Sequence, residues 1–254
     1  MILAVDVGNT QTVIGLFDDE RLVGHWRVSS NASLTADELM IKVDALLGVP
    51  GHAWSVVERA VIASVVPRLT DAWSEAARKA TGRDPMVIGP GLKTGLAIRT
   101  DNPHEVGADR IVNGVAALAM HAGPVLIVDF GTATTIDVID ASGAYVGGAI
   151  APGVETSAEA LFTKAARLSK VDLEDPGTVI GRNTRQSVQA GLLLGQAAMV
   201  DGLVRRTWDE LGCETPVIAT GGLAERMGAL CDTITEVDTD LTLKGLRMVW
   251  ELNR

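Results

Sequence analysis

The sequence is poor in aromatic residues and in positive charge. Aromatic residues make up 4% of the 254 positions, and 22 basic residues face 32 acidic ones, for a net charge of −10. Nucleic-acid-binding proteins use positive surfaces for phosphates and aromatic rings for unpaired bases. The composition therefore argues against a nucleic-acid partner. The hydrophobic content of 47% argues against a disordered chain.

Cysteines and long apolar runs are also scarce. The two cysteines, Cys213 and Cys231, form no Cys-x-x-Cys pair, as expected for reduced thiols of a cytoplasmic protein. No uninterrupted apolar run reaches the roughly 18 residues of a membrane-spanning helix. Asp6 interrupts the first apolar segment, so a signal peptide is not expected. We therefore expect a cytoplasmic protein with no membrane partner.

Several common catalytic motifs are missing. The sequence lacks Gly-x4-Gly-Lys-[Ser/Thr], Gly-x-Gly-x-x-Gly after a strand, Gly-x-Ser-x-Gly and His-Glu-x-x-His, and its four histidines are scattered. These absences argue against a P-loop nucleotidase, a dinucleotide-binding enzyme, a serine hydrolase and a zinc protease.

One pattern occurs twice. Residues 2–17 comprise an apolar strand ending in aspartate, a glycine-containing turn with hydroxyl residues, and a second apolar strand, and a similar segment follows 123 positions later. Asp6 thereby corresponds to Asp129, and Thr12 to Thr135. The pattern is typical of a β-hairpin, so its repetition predicts two related halves.

Strands and amphipathic helices alternate after each hairpin, which favours mostly parallel sheets. We therefore expect an α/β fold of two duplicated domains, 1–122 and 123–254, that face each other across a cleft. The further predicted elements are strands at 22–28, 60–65, 86–88, 144–150, 217–220 and 233–237, and helices at 35–47, 69–81, 155–168, 184–211 and 241–252.

The hairpin turns carry the groups that a phosphate site needs. Glycine lets the backbone approach a phosphate, amides and threonine hydroxyls can donate to it, and the aspartate can hold a bridging cation. An ordinary turn has the same composition, because Asp, Gly, Asn and Thr all favour turns. The occurrence of two such turns at matched positions favours the phosphate site.

Two further clusters lie at predicted helix starts. Asp109 and Arg110 fall in a first helical turn, where a carboxylate is favoured and a cation is not. They are either an ordinary helix start or a general base on a substrate hydroxyl with a positioning arginine. In Gly181-Arg182-Asn183-Thr184, either Asn183 or Thr184 is the N-cap, although such a start also suits an anionic ligand.

Taken in order, these motifs resemble type III pantothenate kinases, which belong to the actin-like ATPase superfamily of acetate and sugar kinases with ribonuclease H-like domains. The paired Asp-x-Gly-[Asn/Thr] turns carry the superfamily resemblance. The closer resemblance also rests on segments 63–67, 101–110, 129–135, 147–153, 181–184, 220–224 and 241–246.

The resemblance implies ATP-dependent phosphorylation of pantothenate to 4'-phosphopantothenate, the first step of coenzyme A biosynthesis, by a cytoplasmic homodimer. It implies a monovalent cation, potassium or ammonium, at Asp129, magnesium near Asp6, and Asp109 as the catalytic base. The implied ATP-binding residues are Asp6, Val7, Gly8, Asn9, Thr10, Gln11, Thr12, Val13 and Thr132, and the implied pantothenate-binding residues are Gly107, Ala108, Asp109, Arg110 and Thr184.

Two other functions remain open from the residues. One is a kinase for another small hydroxylated acid or sugar, and the other is a catalytically silent regulatory relative. Loss of Asp109 or of either hairpin aspartate would favour the silent relative, and all three are present. The chain departs from the family pattern at Ser169-Lys170, where a proline-containing turn is usual, and at Leu194, where an aromatic is common.

Overall fold

The computed structural model describes residues 1–165, 168 and 170–254. The strands are β1 Ile2–Val7, β2 Gln11–Asp18, β3 Arg21–Ser29, β4 Arg59–Ser64, β5 Met86–Val87, β6 Ala97–Ile98, β7 Val125–Phe130, β8 Ala133–Ile139, β9 Ala144–Pro152, β10 Val217–Thr220 and β11 Glu236–Val237. The α-helices are α1 Ala36–Gly48, α2 Pro67–Thr81, α3 Ala108–Met120, α4 Val154–Lys164, α5 Thr184–Gln189, α6 Gly195–Leu211, α7 Ala224–Gly228 and α8 Leu241–Asn253.

The chain divides into two units by compactness. The first comprises Met1–Ala116 together with Leu241–Arg254, and the second comprises Ala117–Asp240. Helix α8 belongs to the first unit because it packs against β1, β2 and β4, whereas the sequence division grouped it with the second half. The boundary at 122/123 between two duplicated halves stays a prediction.

The two units share one strand order. The first sheet runs β3-β2-β1-β4-β5, and the second unit contains the order β9-β8-β7-β10-β11. In each unit the first three strands pair antiparallel and the central strand pairs in parallel with the next. The duplication predicted from the hairpins therefore extends to both five-strand arrangements.

The central strands are covered on both faces, which explains their continuous apolar sequences. Strands β1 and β7 have the same burial pattern, in which the aspartate alone is half-buried. In the first unit α1 and α2 supply the covering side chains, including Leu39 and Trp73. Each aspartate thus lies next to the last residue of a rigid, buried strand.

Most predicted elements are confirmed, with three differences. The helix expected at 155–168 ends at Lys164. Positions 166 and 167 of that expected helix lie outside the described residues, and so does Ser169 of the Ser169-Lys170 departure. The long helix contains a π-helical segment, Ala190–Leu194, between α5 and α6. The strand expected at 233–237 comprises only Glu236–Val237. The backbone amides of Asp232 and Thr233, just before it, donate to a side-chain carboxylate instead of pairing in the sheet.

One helical run among the described residues, Thr184–Leu211, is long and apolar enough to cross a membrane by length and composition. Some 44% of its most apolar window is buried inside the protein. Core helices of globular proteins meet the same criterion, so this run is weak evidence for a membrane span.

The side-chain acceptor that binds the backbone just before β11 is the carboxylate of Asp201 in α6. Its carboxylate is 5% exposed and accepts hydrogen bonds from the amides of Asp232 at 3.0 Å and Thr233 at 2.9 Å. The hydroxyl of Thr233 donates to it at 2.7 Å. A buried carboxylate with three donors ties the segment before β11 to α6.

We predict that Asp201→Ala lowers the free energy of unfolding by about 3 kcal/mol, because buried amides lose their acceptor. The matched control is Asp209→Ala on the exposed face of the same helix, for which we expect a change within about 0.5 kcal/mol. Urea denaturation measures both. Equal stabilities of the two variants would contradict the structural role of Asp201.

Candidate active site

The first hairpin turn is tight and braced. The amide of Gly8 donates to the carbonyl of Gln11 at 3.1 Å, and a Cβ at position 8 would lie 2.9 Å from that oxygen. Thr12 is 1% exposed, and its hydroxyl lies 2.8 Å from that of Ser30. The residues between, including Thr10, are exposed. The turn therefore presents exposed polar groups on a fixed base, with Asp6 directly before it.

The second turn has the same design but is one residue shorter. The amide of Gly131 donates to the carbonyl of Ala133 at 3.0 Å, and Thr134 pairs across the hairpin with Phe130, as Thr12 pairs with Val7. The buried counterpart of Thr12 is thus Thr134, and not Thr135 as the constant sequence offset indicated.

Thr132 lies at the tip of this second turn, which contacts the first residues of helix α4. Its carbonyl accepts from the amide of Gly153 at 3.0 Å and from the hydroxyl of Thr156 at 2.7 Å. A Cβ on Gly153 would overlap the carbonyl oxygen of Gly131. The backbone of the turn is therefore held directly by the start of α4.

Asp129 lies against a glycine. Gly221, at the end of β10, has φ +94°, and a Cβ there would overlap Asp129 Oδ1 and lie 2.8 Å from the backbone N and C of Phe130. The amide of Leu223 donates to the carbonyl of Phe130 at 3.2 Å. Glycine is required at position 221 by both its conformation and the space that the carboxylate occupies.

Asp109 also packs against a glycine. It lies half-buried in the first turn of α3, and its Oδ1 accepts from the amide of Arg110 at 2.9 Å. A Cβ on Gly107 would overlap that oxygen. The four residues Gly107 to Arg110 belong to the same unit as Asp6 and the first turn.

The structure resolves the start of the long helix. Asn183 is the N-cap, since its Oδ1 accepts from the amide of Gln186 at 2.9 Å, and Gln186 Oε1 accepts from the amide of Arg182 at 3.0 Å. Thr184 is exposed at the first helical position. It lies in a groove of about 640 Å³ lined by Leu161, Leu168, Gly181, Arg182, Asn183, Thr184, Ser187, Val188, Gly191 and Leu192.

The residues of the candidate site fit cations that take most of their oxygen ligands from groups other than protein carboxylates. Among the described residues, no three His, Cys, Asp or Glu side chains cluster to hold a metal. Magnesium in phosphoryl-transfer sites needs only one or two carboxylates plus substrate phosphates, which fits Asp6 beside its turn. The fixed carboxylate of Asp129 fits a hard monovalent cation that takes oxygen ligands.

Comparison with known proteins identifies the family. Residues 2–206 match the type III pantothenate kinase family. The chain belongs to this family. A type III pantothenate kinase of Moorella thermoacetica is 48% identical over 253 residues, which is 100% of each chain. Like its family, the protein phosphorylates pantothenate with ATP in coenzyme A biosynthesis.

Solved structures of lower identity support the fold. Component A of (R)-2-hydroxyglutaryl-CoA dehydratase from Acidaminococcus fermentans has a TM-score of 0.57 at 13% identity, covering 100% of this chain and 99% of its own. A ROK family glucokinase of Streptomyces griseus has a TM-score of 0.52 at 11% identity, covering 97% of each chain. These likenesses confirm the predicted fold class of the pantothenate kinase.

Sequence reasoning missed two residues that support the second turn. One is Thr156, which donates to the carbonyl of Thr132. The other is Gln196 of α6, which is 8% exposed and donates to Thr134 Oγ1 at 2.8 Å. The signal for Gln196 was a polar side chain at a position that helical spacing places on the same face as the apolar residues Val200 and Val204. Thr156 carries no comparable signal, because exposed threonines near helix starts are common.

We predict that Gly221→Ala lowers the free energy of unfolding by about 3 kcal/mol or more, because the methyl group would strike backbone and force φ out of its native range. Gly202→Ala is the control, since a Cβ there meets nothing within 4 Å, and we expect it to be neutral or stabilising by up to about 1 kcal/mol. Chemical denaturation of both variants provides the measurement. An undiminished stability of Gly221→Ala would contradict the described packing.

Proposed function

We propose that Asp109 is the catalytic base of the pantothenate kinase and that Gly107 to Arg110 line the pantothenate site. The observation that carries this is the carboxylate of Asp109, which is held by the Arg110 amide and seated against Gly107. A base must be fixed within hydrogen-bond reach of the proton that it takes. Thr184, exposed in its groove, is proposed to contact pantothenate as well.

The two hairpin turns are proposed to bind the phosphates of ATP. The first turn would contribute residues from Asp6 to Val13, and the second would contribute Thr132. Their tight backbones and exposed hydroxyls support this assignment, because amides and hydroxyls on rigid turns suit phosphate oxygens. A phosphoryl-transfer enzyme acts mainly by positioning its reactants and neutralising their charge.

In the proposed reaction the primary hydroxyl oxygen of pantothenate attacks the γ-phosphorus of ATP. The bond between that phosphorus and the β–γ bridging oxygen breaks, ADP leaves, and the hydroxyl proton passes to the carboxylate of Asp109. The carboxylate takes the proton late, since the transition state of phosphoryl transfer is loose. Asp109 therefore both orients the hydroxyl and accepts its proton.

We further propose magnesium near Asp6 and potassium or ammonium at Asp129. When bound, these ions supply positive charge that the developing phosphate charge requires. The absence of a lysine-bearing phosphate loop from the sequence supports a reaction that relies on cations for this neutralisation. We also propose that the protein is a cytoplasmic homodimer, because the family resemblance implies one.

We predict that Asp109→Asn lowers kcat by about 10²- to 10⁴-fold, because the variant loses the proton acceptor. ATP binding, measured by calorimetry, should be unchanged, since the phosphate turns are untouched. The control is Asp71→Asn, an exposed helical aspartate of the same unit. Release of ADP with pantothenate measures kcat. A variant as active as the Asp71→Asn control would refute the assignment of the base.

For the cation we predict that ADP release requires potassium or ammonium, and that Asp129→Asn raises the cation concentration needed for half-maximal rate by at least about tenfold, since an anionic ligand becomes neutral. Asp209→Asn serves as the control for an exposed aspartate of the second unit. Titration of each salt at saturating ATP and pantothenate provides the measurement. A wild-type rate independent of monovalent cations would rule out this part of the proposal.

A further inference from the structure

The closing motif Leu241–Leu246 is not explained by the proposed site, although α8 packs against the helix that carries Asp109. The hydroxyl of Thr242 donates to Asn113 Oδ1 at 2.8 Å. Asn113 is 1% exposed. A buried amide bonded to a side chain of another helix fixes the relative position of the two helices, because breaking that bond leaves a buried polar group with one partner fewer.

A second contact fixes the same two helices. A Cβ on Gly245 would overlap the carbonyl oxygen of Val112 in α3 and lie 2.6 Å from its carbonyl carbon. The backbones of α3 and α8 therefore touch directly at this point. Two independent contacts, one polar and one steric, define where α3 lies relative to α8.

Both contacts fall within one turn of Asp109. Asn113 follows Asp109 by four residues, so the two side chains lie on the same face of α3. On its other side α8 reaches the sheet that carries Asp6, where Leu243 Cδ1 would lie 2.9 Å from a Cβ on Gly15 of β2. Helix α8 thus sets the position of the Asp109 helix relative to the sheet of the first phosphate turn.

From this arrangement we infer that Thr242 is a positioning residue for the phosphoryl transfer, which acts on Asp109 through its hydrogen bond to Asn113. This inference rests on the proposed role of Asp109 as the base. A small displacement of a catalytic group lowers the rate of the chemical step far more than it lowers substrate binding. The expected signature is a loss of kcat with little change in KM.

The test is Thr242→Val, which keeps the side-chain shape and removes the donor, together with Thr242→Ser, which keeps the donor. We expect Thr242→Val to lower kcat about tenfold with KM for ATP and pantothenate within about twofold, as a misplaced group does. Thr242→Ser should restore most of the rate. Thr207→Val is the control, because the Thr207 hydroxyl donates to the Leu203 carbonyl of its own helix.

A double variant separates positioning from simple destabilisation. In an Asp109→Asn background, Thr242→Val should lower the residual kcat by no more than about twofold, because residues that act as a unit are not additive. Rates are normalised to the folded fraction, and Thr242→Ala is measured in parallel in case the valine variant folds poorly.

Two results would overturn the inference. Either a normalised kcat of Thr242→Val and Thr242→Ala equal to that of Thr207→Val, or an equal loss with and without Asp109, would show that Thr242 does not act through Asp109. Failure of the base assignment looks different, since Asp109→Asn alone would then retain full activity whatever the effect of Thr242.

Discussion

In each of the two units, the carboxylate proposed to act in catalysis or cation binding is held in place by direct packing against a glycine. Asp109 lies against Gly107, and Asp129 lies against Gly221. An aspartate side chain has few conformations, and a carboxylate packed on bare backbone has fewer still. Each acid is therefore fixed before any ligand arrives, which suits a reaction in which positioning and charge neutralisation provide most of the rate enhancement.

The duplicated fold places Asp6 and Asp129 at equivalent positions of the two units. In each unit aspartate is the penultimate residue of a buried central strand that continues into a tight turn. The residue directly after the third strand donates to that turn, from the amide of Ser30 to the carbonyl of Thr10 and from the amide of Gly153 to the carbonyl of Thr132. The copies differ where ligands are proposed to bind, since the second turn is one residue shorter. The same strand arrangement thus carries two different turns, both of which we propose bind the phosphates of ATP.

Much of the fold and of the candidate site was predictable from short segments of the sequence. The hairpin aspartates, the helix start at Asp109 and the family followed from short patterns whose physical basis lies within a few residues. The sequence did not reveal contacts between distant segments: Gly245 on the Val112 carbonyl, Gly221 on Asp129, and α8 in the first unit. Such contacts depend on tertiary packing, for which a single glycine or threonine gives no periodic signal.

If Asp109 is the base, its carboxylate faces the reacting hydroxyl of pantothenate, and a crystal structure with pantothenate and a non-hydrolysable ATP analogue would show this contact. We expect the primary hydroxyl oxygen of pantothenate within about 2.6–3.2 Å of an Asp109 carboxylate oxygen, the range of a hydrogen bond to a general base. A bound pantothenate whose hydroxyl points to another residue, with Asp109 out of reach, would contradict it.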